Sequence, residues 1–323
     1  MDQRKLGYTD LMFSEVGIGT WIIGGDRWEW GWGPQDDVDS VRTIHKAFAN
    51  GVNWIDTAAC YGLGHAEEVV ARAIKNCRDT VYVATKCGRG WNEQTGEIFG
   101  QLKSWNVREE CESSLRRLQI DVIDLWQIHW PDPVEDIEEA WSEMARLVQE
   151  GKVRCLGASN FSEAQLKRIQ PIFPVASNQL PYSMLRRDIE TDLLGYCAAN
   201  NIGVVVYSPI ESGMLSGKFT KEYLNNLPAN DWRRTRSSMF QEPEFSLNLT
   251  FIDKLRLIAL QKGCSLSQLA IAWVLRRPEV TAAIAGARRP SQIEETTSIH
   301  LLTPEEIAII DTYILDRDSS LRS

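Results

Sequence analysis

Four side chains able to move or polarise a proton stand at the ends of short apolar runs or shortly past them: Asp56, Tyr61, Lys86 and His129. Asp56 closes the run "NWID", and Tyr61 follows it five residues later across the small residues "TAAC". Lys86 closes "VYVATK", and His129 follows "DLWQI". A phenol has a pKa of about 10 and gives up its proton poorly at neutral pH unless its anion is stabilised. An ammonium beside it lowers that pKa, and a carboxylate holding the ammonium keeps it charged and aimed. Asp56, Lys86 and Tyr61 together would make a tyrosine able to donate a proton. His129 could orient or polarise the oxygen that receives it. Each residue alone has an ordinary use: a loop-capping aspartate, a solvated lysine, a hydrogen-bonded core histidine, a loop aromatic. Their common place at strand ends is what favours chemistry.

The chain has four histidines, at 45, 65, 129 and 300, with no metal-ligand spacing and no G-x-S-x-G elbow. A proton donor lacking both nucleophile and metal points to redox chemistry, with hydride supplied by a cofactor. Two segments could hold one. "VVVYSPIESGMLSGKF" (204–219) places Tyr207 at a strand end, ahead of glycines and Lys218. Only three residues separate Gly213 from Gly217, and Phe219 follows Lys218, so a P-loop for nucleoside triphosphates is excluded on spacing. In "IAGARRPSQIEE" (284–295) a buried strand ends at Gly286, and Arg288 and Arg289 precede a helix opening at Pro290. Two guanidinium groups at a helix start read as an anion site; the alternative is a pair of solvated surface arginines.

The elements that must position these residues alternate. Strand-like runs fall at 16–19, 53–56, 81–86, 122–127, 154–158, 176–178, 203–207 and 281–285. Helical patterns lie between them at 37–50, 65–76, 106–118, 137–150, 162–169, 188–200 and 248–276, followed by 290–299 and 304–315. Short apolar runs without polar alternation suit strands buried on both faces, hence a parallel sheet. Eight such units in one chain favour a closed (β/α)8 TIM barrel, an α/β fold, over an open doubly wound sheet. "VGIGTWIIGG" lacks the third glycine of a dinucleotide fingerprint, which counts against the open sheet. Residues 3–14 predict a small N-terminal β-hairpin, and 304–315 an extra C-terminal helix. The whole 323 residues read as one domain. Insertions at 88–105 and 210–247 follow the third and seventh barrel strands, on the face where barrels bind ligands.

Apolar residues make up 43% and charged residues 24%, and 35 basic against 44 acidic residues leave a net charge of −9. That balance speaks against nucleic acid or an anionic membrane as the main partner. The seven cysteines are scattered without a C-x-x-C pair and read as reduced thiols of a cytoplasmic protein. Cys60 and Cys87 border Tyr61 and Lys86, so thiol modification could block the site. Trp21, Trp28, Trp30, Trp32 and Trp91 are candidate pocket walls, and Trp21, Trp30 and Trp91 among them are candidate substrate contacts. Oligomeric state is not legible.

The motifs "GIGTW", "NWIDTAACYG", "ATK", "DLWQIHWPDP", "GKVRCLGASNF", "SNQLPY", "YSPIESGMLSGK" and "AIAGARRPSQIEE" come in order along the chain. In them the chain resembles the aldo-keto reductase superfamily from about Leu6 to about Leu315. The resemblance implies NADP(H) as cofactor and a small carbonyl or sugar as substrate, within the bacterial and plant branch. Carried over by position, it implies a tetrad of Asp56, Tyr61, Lys86 and His129 with Tyr61 as general acid. Gly19, Thr20 and Trp21 would lie at the cofactor. Ser159, Asn160 and Gln179 would hold its carboxamide, and Tyr207 would stack on the nicotinamide. Ser208, Pro209, Ile210, Gly213, Leu215, Gly217 and Lys218 would cover the pyrophosphate. Arg288, beside Gly286, would meet the 2′-phosphate, with Gln292 and Glu295 near the adenosine. Two other readings are a sugar or alcohol dehydrogenase running the chemistry backwards, and a cofactor-binding regulatory subunit of the potassium-channel β type.

Overall fold

A strand with both faces apolar needs both faces covered, and the eight such runs meet that need by closing on one another inside a ring of helices. The computed structural model describes residues 1–26, 28–228 and 231–322. In chain order the first strands are β1 (Gln3–Lys5), β2 (Met12–Ser14), β3 (Val16–Gly19), β4 (Trp54–Asp56) and β5 (Tyr82–Cys87). Then come β6 (Arg89–Trp91), β7 (Ile98–Gly100), β8 (Ile123–Ile128) and β9 (Val153–Ser159). The last are β10 (Ser177–Pro181), β11 (Gly203–Tyr207) and β12 (Val280–Gly286). β3, β4, β5, β8, β9, β10, β11 and β12 form a closed parallel barrel in that order, with helices around it. The fold is the expected (β/α)8 barrel.

Register carries the chemistry to one rim. Gly19 pairs with Asp56 and Lys86 with Gln127. Around the far side Ser159 pairs with Gln179 and Pro181 with Tyr207. The opposite end is stoppered. β1 and β2 pair antiparallel as the expected hairpin. Phe13 stacks on Trp54 with ring centroids 4.6 Å apart, and the Trp54 indole N–H donates to the Ser14 carbonyl at 2.9 Å. Gly17 has to be glycine, because a Cβ there would lie 2.1 Å from the Trp54 ring. Leu6, Leu11, Phe13 and Trp54 thus make an apolar plug joined to the barrel interior. Rings of this size each bury on the order of 150–250 Å².

Several expectations are corrected. The insertion 88–105 is not all loop: β6 and β7 form a second hairpin within it. The helical stretch 248–276 is two helices, Glu244–Lys262 and Leu266–Leu275, meeting at 90°. Gly263 ends the first at φ 68, and a Ser265–Gln268 capping box starts the second. The final helix runs past 315 to Arg322, because the guanidinium of Arg317 is buried against Glu244 (2.8 Å) and Asn248 (2.7 Å). Among the described residues no single helix is long and apolar enough to cross a membrane.

Candidate active site

β4 ends at Asp56 and β5 carries Lys86 next to it, so the buried ammonium has its acceptors built into the barrel. Lys86 Nζ donates to Asp56 Oδ2 at 2.7 Å, to the Thr57 carbonyl at 2.9 Å and to the Tyr61 phenolic oxygen at 3.3 Å. Three donors meet three acceptors, which is what a lysine only 1% exposed requires. The other carboxylate oxygen, Asp56 Oδ1, accepts from Gln179 at 2.7 Å and from Gln127 at 3.5 Å. The Gln179 amide also donates to Gln127 Oε1 at 3.3 Å, so both its protons are directed at this network. Gln127 carried no chemical signal in the sequence; only the β5–β8 register beside Lys86 exposes its role.

The tyrosine departs from expectation in one respect. Burial, and then the Asp56 charge, push the Tyr61 phenol well above its usual value rather than down. The phenol therefore keeps its proton at neutral pH, with the Lys86 ammonium 3.3 Å from its oxygen. His129 is held neutral: burial, then the charges of Lys86 and Arg89, push it well below its ordinary value. Its backbone is pinned on both sides, N–H to the Cys87 carbonyl at 2.9 Å and carbonyl from the Asn160 amide at 3.1 Å. Its ring meets Tyr61 edge-on with centroids 5.7 Å apart. Cys60 and Cys87 are both buried with their thiols pushed up by burial, which argues against modification of either as a way to block the site.

The loop after β3 returns over Tyr61. Gly24 and Gly62 make this possible, since a Cβ on Gly62 would lie 2.4 Å from the Gly24 carbonyl oxygen. Thr20 anchors the start of the loop, donating through its backbone N–H and its hydroxyl to the Asp56 carbonyl. Trp21 and Trp28 then stand 5.7 and 5.6 Å from the Tyr61 ring, centroid to centroid. Trp30 is placed differently: the Arg236 guanidinium caps its ring at 4.8 Å and its indole N–H donates to Glu29. Trp91 lies in β6, paired with Ile98 of β7. Glu110 was also missed by sequence reasoning. It accepts from the Gly88 N–H and the Gln101 amide, both at 2.7 Å, tying down both ends of the β6–β7 hairpin. Burial pushes it up to about 7.

Several of the remaining predicted residues are linked to one another by hydrogen bonds around the rim. Tyr207 donates to Asn160 Oδ1 at 2.8 Å, and Asn160, at φ 64, donates to Ser159 Oγ at 3.0 Å. Beyond β11 the backbone turns left-handed at Ser208, Glu211, Ser212, Gly213 and Gly217. Leu215 is fully buried, and its side chain packs in the core. Gln292 accepts from the Arg288 backbone N–H at 2.9 Å, and Arg288 also donates to the Trp32 carbonyl. Arg233, from the 210–247 insertion, caps the Trp32 ring at 4.8 Å. The loop after β3 and the insertion after β11 are thereby buckled together. Lys218 and Arg289 are exposed, and among the described residues neither forms an ion pair. Thr296 turns its hydroxyl onto its own helix, to the Gln292 carbonyl.

The aldo/keto reductase family model matches residues 15–314. The chain belongs to that family. The aldo-keto reductase YhdN of Bacillus subtilis (strain 168) is 37% identical over 302 residues, covering 93% of this chain and 88% of its own length. An NADH-specific methylglyoxal reductase of Escherichia coli (strain K12) is 32% identical over 335 residues, covering 99% and 97%. Among solved structures, a glycerol dehydrogenase of Gluconobacter oxydans matches with a TM-score of 0.89 and 38% identity over 98% of this chain and 96% of its own. The protein is thus an oxidoreductase-family barrel of the nicotinamide-dependent kind. In this aldo-keto reductase the four strand-end residues meet at one rim.

Proposed function

We propose that the protein reduces aldehydes or ketones to alcohols, with Tyr61 as the proton donor. The carrying observation is the Lys86 ammonium, held by Asp56 and aimed at the Tyr61 phenol. A nicotinamide cofactor, which Ser159, Asn160 and Tyr207 would hold at the rim, would supply the hydride for the carbonyl carbon. Tyr61 gives its proton to the carbonyl oxygen, and Lys86 stabilises the phenolate left behind. Positioned acids of this kind contribute about 10²–10⁴-fold. His129, kept neutral, polarises that oxygen, and Trp21 and Trp28 exclude water from it.

The residues on and beyond the rim suit an extended dinucleotide. Ser159, Asn160 and Tyr207 border the rim, and left-handed backbone of the kind found at 208–217 suits a pyrophosphate. Arg288, Arg289 and Lys218 supply positive charge beyond it, which favours NADPH. Burial and the nearby Arg233 charge depress the Arg288 pKa, an environment that an incoming phosphate would relieve. The methylglyoxal reductase relative named NADH-specific makes NADH the competing choice. The glycerol dehydrogenase relative favours a second reading, alcohol oxidation with Tyr61 as base.

The test is NADPH and NADH consumption over aromatic aldehydes, short aldehydes and sugars, with Tyr61→Phe in parallel. Turnover lost in the variant with cofactor binding kept supports the reading. Turnover only of alcohols with the oxidised cofactor moves it to oxidation. Tight binding with no turnover in either direction leaves a regulatory cofactor-binding subunit.

A further inference from the structure

Cys60 precedes Tyr61 in the chain, yet its side chain turns to the histidine: Cys60 Sγ lies 3.6 Å from His129 Nδ1. The thiol is 3% exposed and burial pushes its pKa up to about 12, so it keeps its proton at neutral pH. The neutral imidazole carries one N–H and one bare lone pair. Only two pairings satisfy the contact. Either S–H donates to the Nδ1 lone pair, or Nδ1–H donates to sulfur. Sulfur is weak both as donor and as acceptor, but among the described residues the Cys60 thiol has no partner other than His129, so the first pairing satisfies a buried S–H that the second would leave unpaired. It leaves the ring proton on Nε2. Among the described residues no hydrogen bond from His129 Nε2 to another protein group is found, which leaves that N–H for a bound molecule.

We infer that Cys60 is a positioning residue, whose thiol donates to His129 Nδ1 and holds the ring as the Nε2–H tautomer, so that Nε2–H rather than a lone pair faces the carbonyl oxygen. The inference rests on the reading of Tyr61 as acid toward a carbonyl. With the opposite tautomer, a nitrogen lone pair would oppose the lone pairs of that oxygen. The arrangement resembles the way outer hydrogen bonds fix the tautomer of metal-bound histidines, with a thiol in the outer place.

Nitrogen-15 spectra of the full-length protein separate pyrrole-type from pyridine-type imidazole nitrogens, and His129→Gln assigns the signal among the four histidines. In wild type, Nδ1 is expected as the pyridine-type nitrogen and Nε2 as the protonated one. Cys60→Ala should populate both tautomers and lower kcat for an aldehyde about threefold to tenfold, the range one net hydrogen bond covers. Cofactor affinity should hold, and Cys60→Ser should restore both spectrum and rate. A protonated Nδ1 in wild type, or an unchanged spectrum in Cys60→Ala, overturns the inference. If Cys60→Ala does not fold, the wild-type and Cys60→Ser spectra still decide it. Wild type inert toward every carbonyl would sink the reductase reading, while the spectrum still reports the tautomer.

Discussion

Gln179 reaches across the barrel mouth and donates its amide to Asp56 Oδ1 at 2.7 Å, leaving Oδ2 to face Lys86. The carboxylate is thus held from both sides, and the aim of the ammonium depends on a residue of another strand. Hydrogen bonds to charged groups are worth about 1.5–3 kcal/mol. Gln179→Leu should lower kcat about tenfold and destabilise the fold by about 1–3 kcal/mol, read from urea unfolding. A loss confined to cofactor affinity, with kcat intact, would assign Gln179 to the carboxamide instead.

Two of the buried titratable groups at the rim, His129 and Glu110, give opposite stability trends. His129 has a folded pKa well below 6.5, so the unfolded chain takes up its proton first. Its contribution is complete above pH 6.5 and is lost as pH falls below that value. Glu110 has a folded pKa of about 7 against 4.5 for the ordinary side chain. Its contribution is complete below pH 4.5 and is lost as pH rises toward 7. Melting temperatures of wild type and Glu110→Gln should therefore shift in the variant's favour from pH 5 to pH 8. A pH-independent difference contradicts this.

The buckle between Arg233 and Trp32 should control how long a cofactor stays. A cation–π contact is worth about 0.5–2 kcal/mol. Trp32→Ala should speed cofactor release about threefold to tenfold in stopped-flow fluorescence, without altering the chemical step measured in a single turnover. An unchanged release rate would mean that the two loops part without resistance.

Substrate preference should follow Trp28 rather than Trp30. Trp28 is beside the Tyr61 ring, whereas Trp30 is capped by Arg236. Trp28→Ala should change the ratio of kcat/KM between aromatic and short aldehydes by about tenfold, and Trp30→Ala should leave it within about twofold. Equal effects from the two variants would refute the placement.

What was legible in the chain was local. Apolar runs and the residues that end them located Asp56, Lys86 and His129, and their alternation with helical patterns implied the barrel. The partners of those residues were not legible, because they come from distant strands. Gln127 and Gln179 are buried amides whose use depends on barrel register. The Cys60–His129 contact joins residues 69 positions apart. Tyr61 was expected to have a lowered pKa because its neighbours could be guessed and its burial could not. Helix 304–322 was cut short for a similar reason: Arg317 reads as a solvated charge until Glu244 and Asn248 are seen around it.

The plug made by Phe13 and Trp54 continues into the interior through Ala84, Leu125, Val205, Ala282 and Ile284, so the barrel is filled from its floor upward. Nothing can thread it, and any molecule that reaches the Tyr61 phenol must come and go over the rim that carries the loops after β3 and β11.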